Sequence, residues 1–131
     1  MDINTHKKID RNLCGKPIEI DEGFSRVELL LTDNMSADES GLIHGGFIFG
    51  LADYAAMIAV NHPNVVLGSA DVKFLKPLKK GDKVLAEAKV ENTTGKKHSV
   101  RVTVENKGTK VFEGIFTCFV LDNHVLSGRN Y

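Results

Sequence analysis

Asp53 is the only acidic or basic side chain in Gly45–Val60 (GGFIFGLADYAAMIAV), a stretch introduced by His44. A carboxylate in such apolar company must stay charged without a full water shell or take up a proton, and either course is costly. A chain keeps such a residue for a buried partner, for chemistry, or for both. At the other end of the same stretch stand His44, Gly45 and Gly46. If the stretch is a helix, its first backbone N–H groups and the positive end of its dipole can hold a polarised oxygen there. One element then offers an oxyanion site at its tip and a base about two turns further in, which is the outline of a hydrolytic site.

Each of these residues also has a plainer reading. Asp53 could be a carboxylate that caps or pairs across a subunit contact. His44 could orient the loop or bond backbone instead of touching substrate, and Gly45 and Gly46 could serve close packing at the helix start. Lys76, Lys79, Lys80 and Lys83 form a basic turn, with Lys96 and Lys97 in a neighbouring hairpin. Most charge runs are solvated loops, but a ligand with several phosphates needs such charges at a rim. His62, His98 and His124 show no ligand spacing, so no metal is expected. No Gly-x-Ser-x-Gly elbow and no phosphate-binding glycine loop is present, which removes serine hydrolases and P-loop enzymes.

The elements that must position these groups follow from the pattern. Gly45–Val60 is long enough for about four turns and apolar on every face, so it reads as a buried helix ended by Asn61-His-Pro-Asn64. It is shorter than a membrane span and carries an interior Asp, so a membrane helix is rejected. Phe24 to Thr32 reads as a strand entering the core, and Asp33 to Ser40 as a polar loop. After the helix the period becomes two: Val65 to Leu75, Lys83 to Glu91, His98 to Asn106 and Lys110 to Leu121 read as strands. The turns between them lie at Pro77 to Asp82, Thr93 to Lys96 and Lys107-Gly108. Such consecutive strands favour an antiparallel sheet, so the chain is expected to be one α+β domain over residues 1–131. Its core spans residues 24–121, with an irregular or short helical arm at 1–17 and a polar, mobile tail at 122–131. A helix apolar all round is not covered by one sheet face; wrapping the sheet and pairing with a second copy would cover it.

At 131 residues the chain can bury a real core, and its seventeen basic side chains balance seventeen acidic ones. Nothing global therefore points to nucleic acid or an anionic membrane surface. Cys14 and Cys118 form no zinc or CxxC spacing, and no signal peptide is visible, so a reduced cytoplasmic protein is expected.

HGGFIFGLAD at residues 44–53 and DVKFLKPLKKGD at residues 71–82 resemble the hotdog-fold acyl-CoA thioesterases related to the phenylacetate-pathway enzyme. The resemblance covers roughly Phe24 to Leu121. It implies an antiparallel sheet wrapped around one long buried helix, and a site shared across a dimer interface. By the resemblance, Asp53 is the general base for a water or the direct nucleophile on a thioester carbonyl. The Gly45 amide, beside His44 and Gly46, polarises that carbonyl. Ser69 matches a strand residue that places the water. Many relatives carry an Asn where this chain has Asp38. An Asp38 aimed at Asp53 would share a proton with it, whereas Asn34 taking that place, or Asp38 facing solvent, removes the conflict.

The expected protein is thus a homodimeric or homotetrameric thioesterase acting on an acyl-CoA or related thioester. Phe49 and Met57 would shape the acyl pocket, and Lys79 and Lys80 would meet the phosphates. No cofactor is expected beyond coenzyme A as part of the substrate. The alternative is an acyl-CoA-binding or sensing protein with little turnover. A hydratase on the same fold needs an Asp and His paired in one loop, and no such pair is seen.

Overall fold

The computed structural model describes residues 1–128. In chain order the elements are α1 (Arg11–Cys14), β1 (Lys16–Asp21), β2 (Phe24–Leu30), α2 (Gly45–Val60), β3 (Val65–Phe74), β4 (Lys83–Thr94), β5 (Lys97–Asn106) and β6 (Thr109–Val120). A 3-10 turn at Asp33–Met35 precedes α2, and another at Val125–Ser127 follows β6. The six strands form one antiparallel sheet in the order β1-β2-β4-β5-β6-β3. The sheet wraps α2, which is the hotdog arrangement that the resemblance implies.

The helix has the bounds that its apolar run sets. Asn61 ends it in the left-handed conformation, and Pro63 follows. Strands β2, β4 and β5 turn every second residue inward: Val27 and Leu29, then Val84, Ala86 and Ala88, then Val100, Val102 and Val104 are all buried. Small inward residues on β4 let the backbone of α2 lie close. Among these apolar contacts, the buried Ser25 hydroxyl donates to the Ala55 carbonyl at 2.7 Å, so the polar group is satisfied within the core.

Two features differ from the sequence expectation. Residues Lys16–Asp21, placed in the irregular arm or left unassigned, form a sixth strand paired with β2. Its sequence KPIEID carries little period-two signal because it is an edge strand, half exposed, with Pro17 and a bulge between Pro17 and Glu19. The second difference concerns what covers the helix. The N-terminal arm lies on α2 through the His6 ring beside Tyr54 and the bonds of Asn61 to Asn4 and Asp2. Ile3 and Ile9 pack on the core, and α1 touches α2, so part of the covering assigned to a second copy is done within the chain. In the tail, residues 122–128 include the 3-10 turn, while 129–131 lie outside the described residues.

Gly15 fixes where the arm enters the sheet. It has φ 110°, and a Cβ there would come within 2.6 Å of Val27 Cγ1 and 2.8 Å of Leu51 Cδ1. Gly15→Ala should therefore cost about 2 kcal/mol or more, from backbone strain together with overpacking. The measurement is the urea midpoint at unchanged slope; a variant as stable as its parent would contradict this packing.

Candidate active site

The tip of α2 is set by its approach. The N–H of His44 donates to the Met35 carbonyl at 3.0 Å, and that of Ile43 to the Leu78 carbonyl at 2.9 Å. The chain thus enters the helix extended, with His44 at the N-cap and no side chain capping it. Phe47 N–H turns back to the His44 carbonyl, which leaves the N–H groups of Gly45 and Gly46 as the open donors of the first turn. Aromatic rings close over both glycines. A Cβ on Gly45 would lie 3.1 Å from Phe74 Cε1, and one on Gly46 would lie 3.0 Å from the His44 ring. Close packing and an open pair of donors therefore coincide at the tip.

Two turns further in, Asp53 is half-buried, and its Oδ1 is wholly buried without a hydrogen-bond partner. Burial pushes its carboxyl up to about 6. Its charge is felt by thiols on two sides. The fully buried Cys118 on β6 is pushed up to about 12, first by burial and then by Asp53. Cys14 is raised by burial, then by Asp10 and Asp53. Both thiols therefore stay protonated at neutral pH and supply no thiolate.

Gly46, Gly50, Asp53 and Met57 share one side of α2 by their spacing of three and four. Beside them Phe49 packs against Phe116 of β6 with ring centroids 5.4 Å apart. A Cβ on Gly50 would meet nothing within 4 Å, so this side is open at its middle. Met57 is buried within the chain, and of the two expected acyl-pocket residues only Phe49 stays partly exposed. Ser69 is exposed on the edge strand β3 and is not hydrogen-bonded to Asp53.

A groove leaves the helix tip in the direction of the basic turn. A cavity of about 300 Å³ is bounded by Gly45, Ile48, Phe74, Lys76 and Pro77, among others. A second, of about 420 Å³, shares Pro77 and Leu78 with the first and adds Lys79, Asp82, Asn106 and Lys107. Lys79 and Lys107 have no ion-pair partner among the described residues. Lys80 instead holds Asp33 at 3.3 Å, and Lys83 holds Glu28 at 3.4 Å. Lys107 was not singled out from sequence. It sits in the β5–β6 turn, and the pairing of β5 with β4, which sets Asn106 opposite Val84, brings that turn beside Lys79.

Asp38 belongs to its own loop. Its Oδ1 accepts from the Ser40 hydroxyl at 2.5 Å and the Ser40 N–H at 2.9 Å, and the Ser40 bond holds the exposed carboxyl below its usual range. The arrangement is the solvent-facing one, in which Asp38 has no proton to share with Asp53. Asn34 is exposed and accepts from the Thr32 hydroxyl, so it does not take the vacated role. No group of three or more metal-binding side chains occurs among the described residues, and no described helix is long and apolar enough to cross a membrane.

Comparison with known proteins follows the same outline. Residues 40–113 match the Thioesterase superfamily. An uncharacterized protein from Pyrococcus horikoshii, of known crystal structure, is 56% identical, with a TM-score of 0.95 over 96% of this chain and 97% of that one. The PaaI protein from the phenylacetic acid degradation operon of E. coli is 26% identical, with a TM-score of 0.78 over 86% of this chain and 83% of that one. Among curated relatives, the methylthioribose-1-phosphate isomerase of Aquifex aeolicus is 53% identical over 123 residues, which take in 93% of this chain and 27% of that protein. The transcription factor FapR of Caldanaerobacter subterraneus is 27% identical over 119 residues, 90% of this chain and 60% of that protein. The chain thus spans about a quarter of the first curated relative and three-fifths of the second. With a helix-tip donor pair, a buried helix carboxylate and a family match over more than half its length, this chain belongs to the thioesterase superfamily of hotdog folds.

Proposed function

We propose that the protein hydrolyses an acyl-CoA thioester, with Asp53 as general base or nucleophile and the Gly45 amide as oxyanion donor. The observation that carries this reading is Asp53 itself: a lone helix carboxylate with an unpartnered buried oxygen and a raised pKa. In the general-base form, Asp53 takes a proton from water as the water oxygen bonds to the thioester carbon. The carbonyl oxygen becomes an oxyanion facing the helix tip. The C–S bond then breaks, and the thiolate leaves and gains the proton, yielding a free acid and coenzyme A. In the nucleophilic form the carboxylate oxygen bonds to that carbon, the C–S bond breaks, and the coenzyme A thiolate leaves and takes a proton. Water then cleaves the mixed anhydride to the free acid and the restored Asp53 carboxyl.

One chain does not hold both groups where one carbonyl needs them. Gly45 and Asp53 are eight residues apart, about 12 Å along a helix at 1.5 Å per residue. Two copies related by a two-fold axis can bring the tip of one helix to Asp53 of the other. The open side at Gly50 supports such an approach, as does β3, a ten-residue edge strand. Acyl-CoA binding without turnover is the second reading, favoured by the similarity to the transcription factor FapR.

Asp53→Asn keeps the shape and removes the base, so turnover of acyl-CoA should fall about a hundredfold or more. Wild-type activity in that folded variant would remove Asp53 from the mechanism, and a wild-type protein that binds acyl-CoA but hydrolyses none would favour the second reading. The parent's turnover should rise with pH through about 6, as the carboxyl loses its proton. Stability should move the other way. The folded carboxyl keeps its proton to a higher pH than the unfolded one, so its contribution is complete below about 4 and is lost as pH rises to about 6, a change of roughly 2–3 kcal/mol. Urea titrations across that range should show this loss in the parent and not in Asp53→Asn. Asp38→Asn should leave the turnover profile nearly unchanged.

If Lys79 and Lys107 meet the nucleotide phosphates, replacing both with Ala should raise KM for acyl-CoA and reduce its salt dependence, each contributing about 1 kcal/mol. Lys80→Ala should do much less. The control is a substrate truncated to the pantetheine arm; an equal loss on it would mean that the lysines act on the fold. For the shared site, light scattering and activity over a dilution series should fall together, and an active monomer would overturn it.

A further inference from the structure

Strand β1 stops short of the end of β2. Its register begins at Lys16, opposite Glu28, and on the other side of Lys16 the chain leaves the edge at Gly15, which packs against Val27 and Leu51 on the inner face. The last part of β2 therefore has no neighbour on that side. Its backbone groups can be placed. Leu31 directs both of its own toward β4: its N–H donates to the Asp82 carbonyl at 2.8 Å, and its carbonyl accepts from the Gly81 N–H at 2.7 Å. By the alternation of an antiparallel ladder, Leu30 and the extended Thr32 direct theirs the opposite way, at the open edge. Among the described residues only the Thr32 carbonyl is taken there, by the Met35 N–H at 3.0 Å.

A cavity of about 630 Å³, larger than either part of the tip groove, lies in this notch. Its lining includes Leu13, Leu29 and Leu30 together with Arg11, Lys16 and Lys83. Cross-strand partners share a face, so Lys16, Glu28, Leu30 and Lys83 stand together on the outer face, where Leu30 is 54% exposed. Leu29 faces inward, and Leu13 of α1 adds a second apolar side chain. Glu28 holds Lys83 at 3.4 Å, whereas neither Arg11 nor Lys16 forms an ion pair among the described residues. The notch thus combines open backbone donors, apolar surface and uncompensated positive charge.

We propose that this notch docks a short, extended acidic segment of another protein, which adds to the sheet beside Leu30. The segment's backbone accepts from the Leu30 and Thr32 N–H groups and donates to the Leu30 carbonyl, the bonds that β1 does not reach to make. Its side chains alternate between the faces, acidic ones outward beside Lys16 and apolar ones inward over Leu29. Charge selects this occupant, since a basic segment would gain the backbone bonds against two unpaired cations. Length excludes the border of a second copy. Lys16 at one end and the turn at Asp33–Met35 at the other close the notch to all but a few residues. The site is separate from the helix tip and from Asp53.

The probe is an acetylated, amidated pentapeptide alternating glutamate and leucine. In nitrogen-15 NMR it should shift the Leu30 and Thr32 amide signals and leave those of Gly45 and Gly46 in place. A counterpart with lysine for glutamate, and one with methylated backbone nitrogens, should each bind about tenfold more weakly or worse. Leu30→Pro deletes an N–H that the fold does not use, at an edge position where proline is tolerated, and should abolish binding. Lys16→Glu should weaken binding about tenfold or more, leave any thioester turnover unchanged, and decide the matter if Leu30→Pro does not fold. Equal binding of the lysine peptide, or of the methylated one, overturns the proposal. So does the absence of shifts at Leu30 and Thr32 with millimolar peptide. Decanoate moving those two amides where the peptide does not would overturn it in favour of a small amphiphile.

Discussion

The structure turns on burying α2 on nearly every side while that helix carries a carboxylate. A helix with one apolar stripe needs one sheet face, but α2 buries residues on successive positions from Leu51 to Ala59, with only Asp53 interrupting. The sheet must curl, the small residues Ala86 and Ala88 must let it come close, and an arm must cross the helix turns that the sheet leaves uncovered. Each device serves the same apolar contact, and Asp53 is the one group in the run that gains nothing from it. The desolvation that makes this carboxylate unfavourable in the fold is what makes it a better base near neutral pH. Under the proposed mechanism, stability and reactivity are opposed at that one residue.

The tip of the helix shows the complementary economy. Its donors remain open because His44 lends a backbone carbonyl and a ring but no side-chain cap. A Ser or Asp at that place would fill a donor and strengthen the helix. The rings of Phe74 and His44 stand beside Gly45 and Gly46 without occupying the N–H groups. The groove that starts there changes along its length from Phe74 and Ile48 to Lys79 and Lys107, an order that suits a ligand apolar at one end and anionic at the other.

Much of this was legible in the residues. The limits of α2 were readable because its apolar run begins after His44 and stops at Asn61-His-Pro, and Asp53 stood out by contrast with its neighbours. β2, β4, β5 and β6 were readable because their burial alternates, and β3 was read as a strand although it is exposed through its middle. β1 was not, since Pro17, its bulge and its exposure leave little period to see. The arm's role depends on Asn61, whose two bonds reach fifty-seven and fifty-nine residues back along the chain. No local pattern carries such a contact. For the same reason the basic turn was visible as a run of lysines, but not which of them Asp33 and Glu28 would occupy, nor that Lys107 would join from another hairpin.

The two borders of the sheet are unlike. β1 is short, interrupted by Pro17 and a bulge, and studded with charge, whereas β3 presents ten residues with Gly68, Ser69 and Ala70 at its exposed middle. A sheet with two receptive borders can add copies at both and grow into a fibre. A sheet with one receptive border can join only to the same border of another copy, and the union then offers two blunt ends. The unevenness of the borders thus acts as a stop to polymerisation, written into a strand that the hydrophobic pattern hides.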